Sequence, residues 1–193
     1  PTVRRSFKAG SKSFQPAARL VPWNQRAQSI ERMTRLVLFD IDGTLVHTGG
    51  AGRKAFAKVF ATVFNLPNGT EHIKFAGRTD VSLVREFFLQ HHIPPTRKNF
   101  ARFFERYVFW LDHILAQSTT RECPGIRPFL RALRRLPEPP LIGLLTGNIR
   151  LGAEIKLRHF NLWDEFATGA FADDHEDRDQ IAAVARERGG RVL

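Results

Sequence analysis

Cysteine is almost absent from the sequence: the chain of 193 residues contains one, Cys123. A single cysteine excludes an internal disulfide. Such scarcity is typical of a reducing compartment, so we expect a cytoplasmic protein. Long apolar runs are also absent, since none approaches the roughly 18 residues that a membrane span needs, and we expect no membrane partner. With 42% hydrophobic and 25% charged residues, the composition indicates a globular protein of one domain, or a core domain with a smaller insert.

Acidic residues are scarce compared with basic ones, 19 against 30, which gives a formal net charge of +11. Residues 1–32 hold seven Lys or Arg and one Glu, and they lack apolar periodicity. We interpret them as a basic, disordered extension. We favour upstream sequence before a start at Met33, the one methionine, over an organelle transit peptide. A nucleic-acid-binding arm is the third interpretation, but sparse aromatic residues argue against nucleic acid as the partner.

Two carboxylates follow a short apolar strand. Residues 36–39 form an apolar run typical of a strand buried on both faces, and Asp40 and Asp42 come directly after it. Open α/β folds place their chemistry at the carboxyl ends of strands, so this pair is a candidate catalytic site. Two acids this close repel each other unless a cation or a shared proton offsets the charge. The alternative is a strand followed by an ordinary Asp-Gly turn at Gly43.

Residues 49–121 show helical periodicity and no strand pattern. Apolar stripes at spacings of three and four predict three helices, the second capped by Thr79 or Asp80 and the third by Thr96. The stripe of the third helix is rich in aromatic residues, and we interpret it as core rather than as a base-stacking platform. The adjacent His91-His92 pair does not share a helix face, which argues against a metal site there.

A second buried strand, residues 141–145, also ends in polar residues. It leads into Thr146, Gly147 and Asn148, which are suited to holding phosphate oxygens. A helix is expected at about residues 149–160, and its N-terminus would favour an anion at the same place.

The last part of the chain contains a third apolar segment, residues 166–171, and then an acidic run without the ligand spacing of an EF-hand. We expect this run to form a loop and the start of a final helix, with acids favoured near its N-terminus. That helix is expected to reach Gly189-Gly190, and residues 191–193 to begin another strand.

These motifs, in this order, resemble the haloacid dehalogenase superfamily, in its phosphatase branch with a helical cap. The first family motif, D-x-D-G-T, is matched by residues 40–44, and the second by residues 146–148 after a hydrophobic strand. The resemblance implies an α/β fold, with a Rossmann-like parallel sheet core in residues 33–48 and 122–193 and an inserted α-helical cap in residues 49–121. The cap, with landmarks at Gly77-Arg78-Thr79-Asp80 and Pro124-Gly125, is similar to that of the phosphoglycolate phosphatase and β-phosphoglucomutase-like group.

The resemblance implies hydrolysis of a phosphomonoester. Asp40 would be the nucleophile that forms an aspartyl-phosphate, and Asp42 would be the general acid and base. The cofactor would be Mg²⁺, bound by Asp40 and by the backbone carbonyl of Asp42. The residues expected to bind phosphate are Thr44, Thr146, Gly147 and Asn148. The cation that faces the phosphoryl group would be Arg178 or Lys156, and the sequence leaves this choice open.

The family's fourth motif, a Gly-Asp or Asp-Asp pair at the end of the next strand, has no match before Leu193. We therefore expect a fragment that is inactive or nearly so, with an incomplete metal site and an unpaired strand edge prone to aggregation. The expected partner is a small phosphorylated metabolite, and no oligomeric state is predicted. One alternative is a phosphomutase of the same superfamily, and another, of a different class, is a basic nucleic-acid-binding module through residues 1–32. The dehalogenase branch is disfavoured, because it has no need of Asp42.

Overall fold

A sheet of three parallel strands lies at the centre of the fold. The computed structural model describes residues 35–67, 70 and 73–193. The strands are β1 (Leu36–Phe39), β4 (Leu141–Leu145) and β5 (Thr168–Ala170), in the order β1-β4-β5. A separate antiparallel pair joins β2 (Val46–His47) to β3 (Arg121–Glu122). The basic extension expected at residues 1–32, and the start expected at Met33, lie outside the described residues.

Helices account for most of the remaining described chain. They are α1 (Ala51–Val63), α2 (Asp80–Gln90), α3 (Arg97–Ala116), α4 (Ile126–Arg134), α5 (Arg150–His159) and α6 (Arg178–Val192). The expected α/β fold with a parallel sheet is confirmed. Within the described ranges, no helix combines the length and the apolarity that crossing a bilayer requires.

The middle strand, β4, is closely packed between its two neighbours. A Cβ atom at Gly143 would lie 2.7 Å from a methyl carbon of Thr168 on β5 and 3.0 Å from one of Leu38 on β1. Because position 143 has no side chain, the side chains of Thr168 and Leu38 can pack directly against the backbone of β4. Phe39 and Leu144, which are paired across β1 and β4, are buried in the core that the sheet shares with α4 and α5.

Helices α1, α2 and α3 pack their apolar stripes into a second core cluster. The Phe56 ring lies edge-on to the rings of Tyr107 and Phe103, with centroids 4.8 Å and 5.0 Å away. The interpretation of the aromatic stripe as core is confirmed, since Phe103 and Tyr107 are fully buried. Ile149 and Ala172, from the sheet-forming part of the chain, belong to the same cluster. Apolar contacts therefore join the helices to the sheet.

The helix caps follow the sequence signals. The Thr79 hydroxyl accepts a hydrogen bond from the Ser82 N–H at 3.1 Å, and the Thr96 hydroxyl accepts one from the Asn99 N–H at 3.3 Å. Asp177, in the acidic run, caps α6 by accepting the Asp179 N–H at 2.8 Å. Of the two caps that the sequence left open for α2, Thr79 and Asp80, the structure shows Thr79. The predicted cap at Thr96 and the placing of acids at the start of the last helix are confirmed.

The strand expected at residues 191–193 is wrong. Helix α6 continues through both glycines to Val192, and the Leu193 N–H still donates to the carbonyl of Gly189 at 3.2 Å. Gly189 marks a close approach rather than a helix end, because a Cβ atom there would lie 2.6 Å from a methyl carbon of Leu36 on β1. The glycine lets the last turns of α6 lie against the sheet.

Candidate active site

The carboxyl ends of β1 and β4 open into one cavity of about 420 Å³. Phe39 is paired with Leu144 in a parallel register, so the segments that follow them leave the sheet side by side. Seven of the eight candidate site residues line this cavity: Asp40, Asp42, Thr146, Gly147, Asn148, Lys156 and Arg178. Two of them, Asp40 and Arg178, are 138 positions apart in the chain.

Asp40 is oriented by its own backbone and by one cation. Its Oδ1 accepts the Ile41 N–H at 2.8 Å, and its Oδ2 lies 3.3 Å from Nη2 of Arg178. The side chain is 37% exposed and borders the cavity. A carboxylate held in this way is accessible to a group that enters the cavity.

Asp42 is bound more tightly, because its Oδ2 accepts two side-chain hydrogen bonds. Nζ of Lys156 lies 2.7 Å away and Nδ2 of Asn148 lies 2.9 Å away. Partial desolvation raises the pKa of Asp42, although its side chain is still 46% exposed. The attraction of Lys156 and the hydrogen bonds from Lys156 and Asn148 outweigh this effect and leave the pKa below its ordinary value. Asp42 is therefore ionised near neutral pH.

Lys156 extends from α5 into the cavity and is only 4% exposed. Its ammonium group donates to Asp42 and, at 2.6 Å, to Oδ1 of Asn148. Burial of a charge is tolerated when it is paired and hydrogen-bonded in this way. Since an ammonium group has three N–H donors, one remains for another acceptor.

The two candidate cations thus face different acids. Arg178 lies against Asp40, and Lys156 lies against Asp42. From the sequence, Arg178 and Lys156 are alternative candidates for the one cation that faces the phosphoryl group, but in the structure both line the cavity.

The loop after β4 is stabilised by its own side chains. Oγ1 of Thr146 accepts the backbone N–H of Asn148 at 3.2 Å and its side-chain amide at 2.7 Å. Gly147 lies directly under the segment that precedes α2, because a Cβ atom there would be 2.4 Å from the carbonyl oxygen of Arg78. Only glycine permits this approach without displacing the backbone.

Thr44 is the one candidate that the structure does not bring to the cavity. It is exposed, and it is not among the residues that line the cavity. Its backbone N–H donates to the carbonyl of Ile41 at 3.2 Å, so its contact is within the turn after β1.

Sequence reasoning missed one acid of the cavity, Asp80 at the start of α2. It is 9% exposed, its N–H donates to the carbonyl of Gly147 at 2.7 Å, and its Oδ2 accepts the Ile149 N–H at 2.9 Å. Burial raises the pKa of Asp80 to about 6, and the nearby Lys156 and the Ile149 hydrogen bond offset only part of this effect. The sequence singled out Asp80 as a landmark and a possible cap, but not as part of this site.

The N-terminus of α5 also differs from expectation. The Ile149 N–H donates to Asp80, and the Arg150 N–H donates to Asp173. The protein itself therefore supplies the anions that favour a helix N-terminus. The expectation that these N–H groups bind a substrate anion is wrong, because both already donate to side chains of the protein.

The Asp40 carboxylate and the backbone carbonyl of Asp42 are the oxygens that fit a divalent cation, since the Asp42 carboxylate already accepts from Lys156 and Asn148. Mg²⁺ typically takes one or two carboxylates and keeps water or phosphate oxygens in its other positions. One carboxylate with one carbonyl fits that pattern. Among the described residues no group of three or more His, Cys, Asp or Glu side chains could hold a metal ion, so the remaining ligands would be backbone, water or substrate oxygens.

Comparison with known families agrees with this geometry. The sequence profile described as haloacid dehalogenase-like hydrolase matches residues 37–188. The chain belongs to the haloacid dehalogenase-like hydrolase family. The matched range includes both sequence motifs, and the resemblance to this family is confirmed.

One curated relative of this haloacid dehalogenase-like hydrolase is a bifunctional riboflavin kinase/FMN phosphatase of Arabidopsis thaliana. The two are 24% identical over 140 residues, which is 72% of this chain. The chain spans 35% of the length of that relative.

Solved structures show the same fold. CbbY from Rhodobacter sphaeroides, solved in complex with phosphate, has a TM-score of 0.61 at 20% identity, over 81% of this chain and 72% of that one. A protein described as a predicted phosphoglycolate phosphatase from Haemophilus somnus has a TM-score of 0.54 at 19% identity, over 75% and 65% of the two chains. At such identities the likeness shows the fold of this haloacid dehalogenase-like hydrolase and no more.

Proposed function

We propose that this protein is a Mg²⁺-dependent phosphatase that hydrolyses a small phosphorylated metabolite through an aspartyl-phosphate. The observation that carries the proposal is the pairing of two acids with two cations at one cavity. Asp40 with Arg178 and Asp42 with Lys156 supply a nucleophile, a proton carrier and positive charge for a phosphoryl group.

In the first half-reaction, an oxygen of Asp40 attacks phosphorus and the bond from phosphorus to the ester oxygen breaks. Asp42 gives a proton to the departing oxygen, which leaves as an alcohol. Asp42 is ionised before substrate arrives, but a phosphoryl dianion beside it would raise its pKa and favour the protonated form. Asp42, whose side chain is 46% exposed, would take this proton from solvent as the substrate binds.

In the second half-reaction, Asp42 accepts a proton from a water molecule that attacks the phosphorus of the aspartyl-phosphate. The acyl-phosphate bond breaks, inorganic phosphate leaves and Asp40 is regenerated as a carboxylate. The same residue is thus acid in one step and base in the next, as reversing the direction of proton transfer requires.

Arg178, Lys156 and Mg²⁺ have different roles in this proposal. Arg178, beside Asp40, would face the phosphoryl oxygens as negative charge accumulates on them. Lys156 and Asn148 would hold Asp42 in place. Mg²⁺ bound by Asp40 and the carbonyl of Asp42 would neutralise charge on the phosphoryl oxygens.

The names of the relatives support a phosphorylated small molecule as substrate. The Arabidopsis relative is named an FMN phosphatase, and CbbY was also solved with xylulose-(1,5)bisphosphate. A cavity of about 420 Å³ falls in the range of small-molecule sites.

The experiment is a screen against phosphorylated metabolites, with Mg²⁺ and with a chelator, of the 193-residue chain and of a longer chain that supplies the family's fourth motif. The activity described next is expected of the longer chain. Robust Mg²⁺-dependent activity of the 193-residue chain would refute the expectation that it is nearly inactive. We expect Mg²⁺-dependent release of phosphate, and loss of at least about 1,000-fold of the rate in Asp40→Asn, because a carboxamide is not a nucleophile here. Mass spectrometry after a brief reaction should find a phosphoryl adduct on Asp40. Hydrolysis that continues unchanged in Asp40→Asn would contradict the proposed mechanism.

The same screen separates hydrolysis from phosphomutase activity. Sugar phosphates in the panel are analysed for isomers as well as for free phosphate. Isomerisation without phosphate release would assign the alternative reaction to the same acids.

A further inference from the structure

The hydroxyl of Tyr107 is buried and has no hydrogen-bond partner among the described residues. Tyr107 is the one tyrosine of the chain, is fully buried and lines the active-site cavity. Folded proteins keep few unpaired buried polar groups, because each loses its hydrogen bonds to water without replacement. A hydroxyl kept in this state at a cavity wall points to a bound group that pairs with it.

The position of this hydroxyl is fixed by the surrounding rings. The Tyr107 ring packs edge-on against Phe56 and stacks on Phe103, with centroids 4.8 Å and 6.2 Å away. Phe104 contacts it edge-on at 6.3 Å. A ring enclosed in this way presents its oxygen at one place, which suits recognition.

The space beside the hydroxyl is shared with Lys156. A Cβ atom at Gly52 would lie 3.6 Å from the Tyr107 oxygen and 3.6 Å from Nζ of Lys156. All three residues line the cavity. A Cβ atom would be bonded to Cα of Gly52, so this point marks the direction of the two groups and is not itself a site for a substrate atom. The hydroxyl and the ammonium group therefore lie on the same side of Gly52, and the missing side chain leaves both donors open to an acceptor that enters from the cavity.

Tyr107 also remains a donor. Burial, together with the negative charges of Asp80 and Asp42, raises its pKa well above the ordinary value, so the hydroxyl stays protonated at any pH of an assay.

We infer that Tyr107 is a specificity-determining residue, whose hydroxyl donates a hydrogen bond to an oxygen on the organic part of the substrate beside Lys156. This inference rests on the proposed function, in which the phosphoryl group occupies the place beside Asp40 and Arg178. The group that reaches Tyr107 is then the leaving group. The substrate class is a phosphate monoester whose leaving group carries a hydroxyl or carboxylate oxygen.

The test compares two esters that differ by one acceptor, 2-hydroxyethyl phosphate and ethyl phosphate. Tyr107→Phe keeps the ring and removes the hydroxyl. We expect kcat/KM for 2-hydroxyethyl phosphate to fall about tenfold, and that for ethyl phosphate less than about twofold. The melting temperature should stay the same or rise, because no protein partner is lost. A lower melting temperature with an unchanged ratio of the two kcat/KM values would assign the hydroxyl a structural role and overturn the inference.

Gly52→Ala tests the same space from the other side. Its methyl group would make only ordinary contacts with Tyr107 and Lys156, and alanine suits a helix better than glycine does, so the fold should tolerate it. We expect the same loss of discrimination as in Tyr107→Phe. Thr62→Val is the matched control, since it removes an exposed hydroxyl from the same helix, away from the cavity. Discrimination that is lost equally in Thr62→Val would contradict the inference.

A binding measurement separates this inference from the proposed activity. Calorimetry compares 2-hydroxyethylphosphonate with ethylphosphonate, neither of which is hydrolysed at phosphorus. We expect the wild-type protein to prefer the hydroxylated compound and Tyr107→Phe to lose the preference. If neither ester is hydrolysed but this preference is found, the proposed function fails while the Tyr107 contact stands. Equal binding of both compounds to the wild-type protein overturns the contact.

Discussion

Two carboxylates that line the same cavity, Asp42 and Asp80, have pKa values shifted in opposite directions. Desolvation raises the pKa of both Asp42 and Asp80, yet the net pKa of Asp42 is lowered and that of Asp80 is raised to about 6. Two features differ: Asp42 accepts directly from Lys156 whereas Asp80 accepts only a backbone N–H, and the Asp42 side chain is 46% exposed whereas Asp80 is buried. A direct ion pair compensates desolvation more fully than a single amide does.

The pKa of Asp80 predicts a pH dependence of stability. Its folded value of about 6 lies above the ordinary 3.8. The contribution of protonated Asp80 to the free energy of unfolding is therefore fully present below about pH 4 and is lost as the pH rises through 6. Asp80→Asn can still accept the Ile149 N–H but cannot ionise. We expect its free energy of unfolding, relative to wild type, to rise by up to about 3 kcal/mol between pH 4 and pH 7.5 in urea titrations.

Asp112→Asn is the control for this measurement, because it removes an exposed carboxylate from α3 and changes the net charge equally. A difference in the free energy of unfolding between Asp80→Asn and wild type that does not vary with pH would show that folding does not raise the pKa of Asp80.

A second prediction at this scale concerns Arg178. Arg178→Ala removes the cation beside Asp40, and we expect kcat/KM to fall about 100-fold to 1,000-fold with little change in melting temperature. Arg191→Ala removes an arginine of the same helix that pairs with Glu187 at the surface, and its kinetics should match wild type. Steady-state assays on a substrate found in the screen compare the two variants. Equal activity of both would remove Arg178 from the proposed mechanism.

At the scale of elements, two glycines illustrate opposite constraints. A Cβ atom at Gly147 would overlap the Arg78 carbonyl at 2.4 Å, whereas one at Gly190 in α6 would meet nothing within 4 Å. We expect Gly147→Ala to destabilise the protein by about 1–3 kcal/mol, because backbone must move. Gly190→Ala should stabilise it by about 0.5–1 kcal/mol through helix propensity. Urea unfolding measures both, and a stabilised Gly147→Ala protein would contradict the close approach.

The elements themselves were largely predictable from sequence. Strands β1 and β4 are short apolar runs with polar ends, and the helical stripes repeat at three and four residues, so local pattern was sufficient. The same pattern located Asp40 and Thr146, because each follows a strand directly. At residues 191–193 it failed, since the Gly189-Gly190 pair is typical of a helix end. Here a contact with Leu36, far away in the chain, determines the outcome.

The rest of the site could not be predicted for a related reason. Asp80 meets Ile149 across 69 positions, and Tyr107 reaches the cavity from the middle of a core helix. Neither residue has a local signal that distinguishes it from a cap or from a core aromatic. Such roles come from the packing of helices on the sheet, which the periodicity of one segment does not encode.

At the scale of the whole molecule, helices and sheet should unfold together. Ile149 and Ala172 belong to the helical core cluster, and Asp80 is hydrogen-bonded to the loop after β4. We therefore expect one cooperative transition. In a Trp23→Phe background, removing either Trp110 or Trp163 leaves one reporter, in α3 or near the sheet. The two urea midpoints should coincide, and separate midpoints would show two independent units.

The burial of Lys156 has a practical consequence. Amine-acylating reagents modify a lysine only when solvent reaches its nitrogen, and Lys156 is enclosed and already donates to Asp42 and Asn148. Exposed lysines such as Lys54 would be acetylated at once. Acetylation at Lys156 should therefore be much slower than at Lys54, and mass-spectrometric time courses of that one position would measure how often its nitrogen becomes exposed.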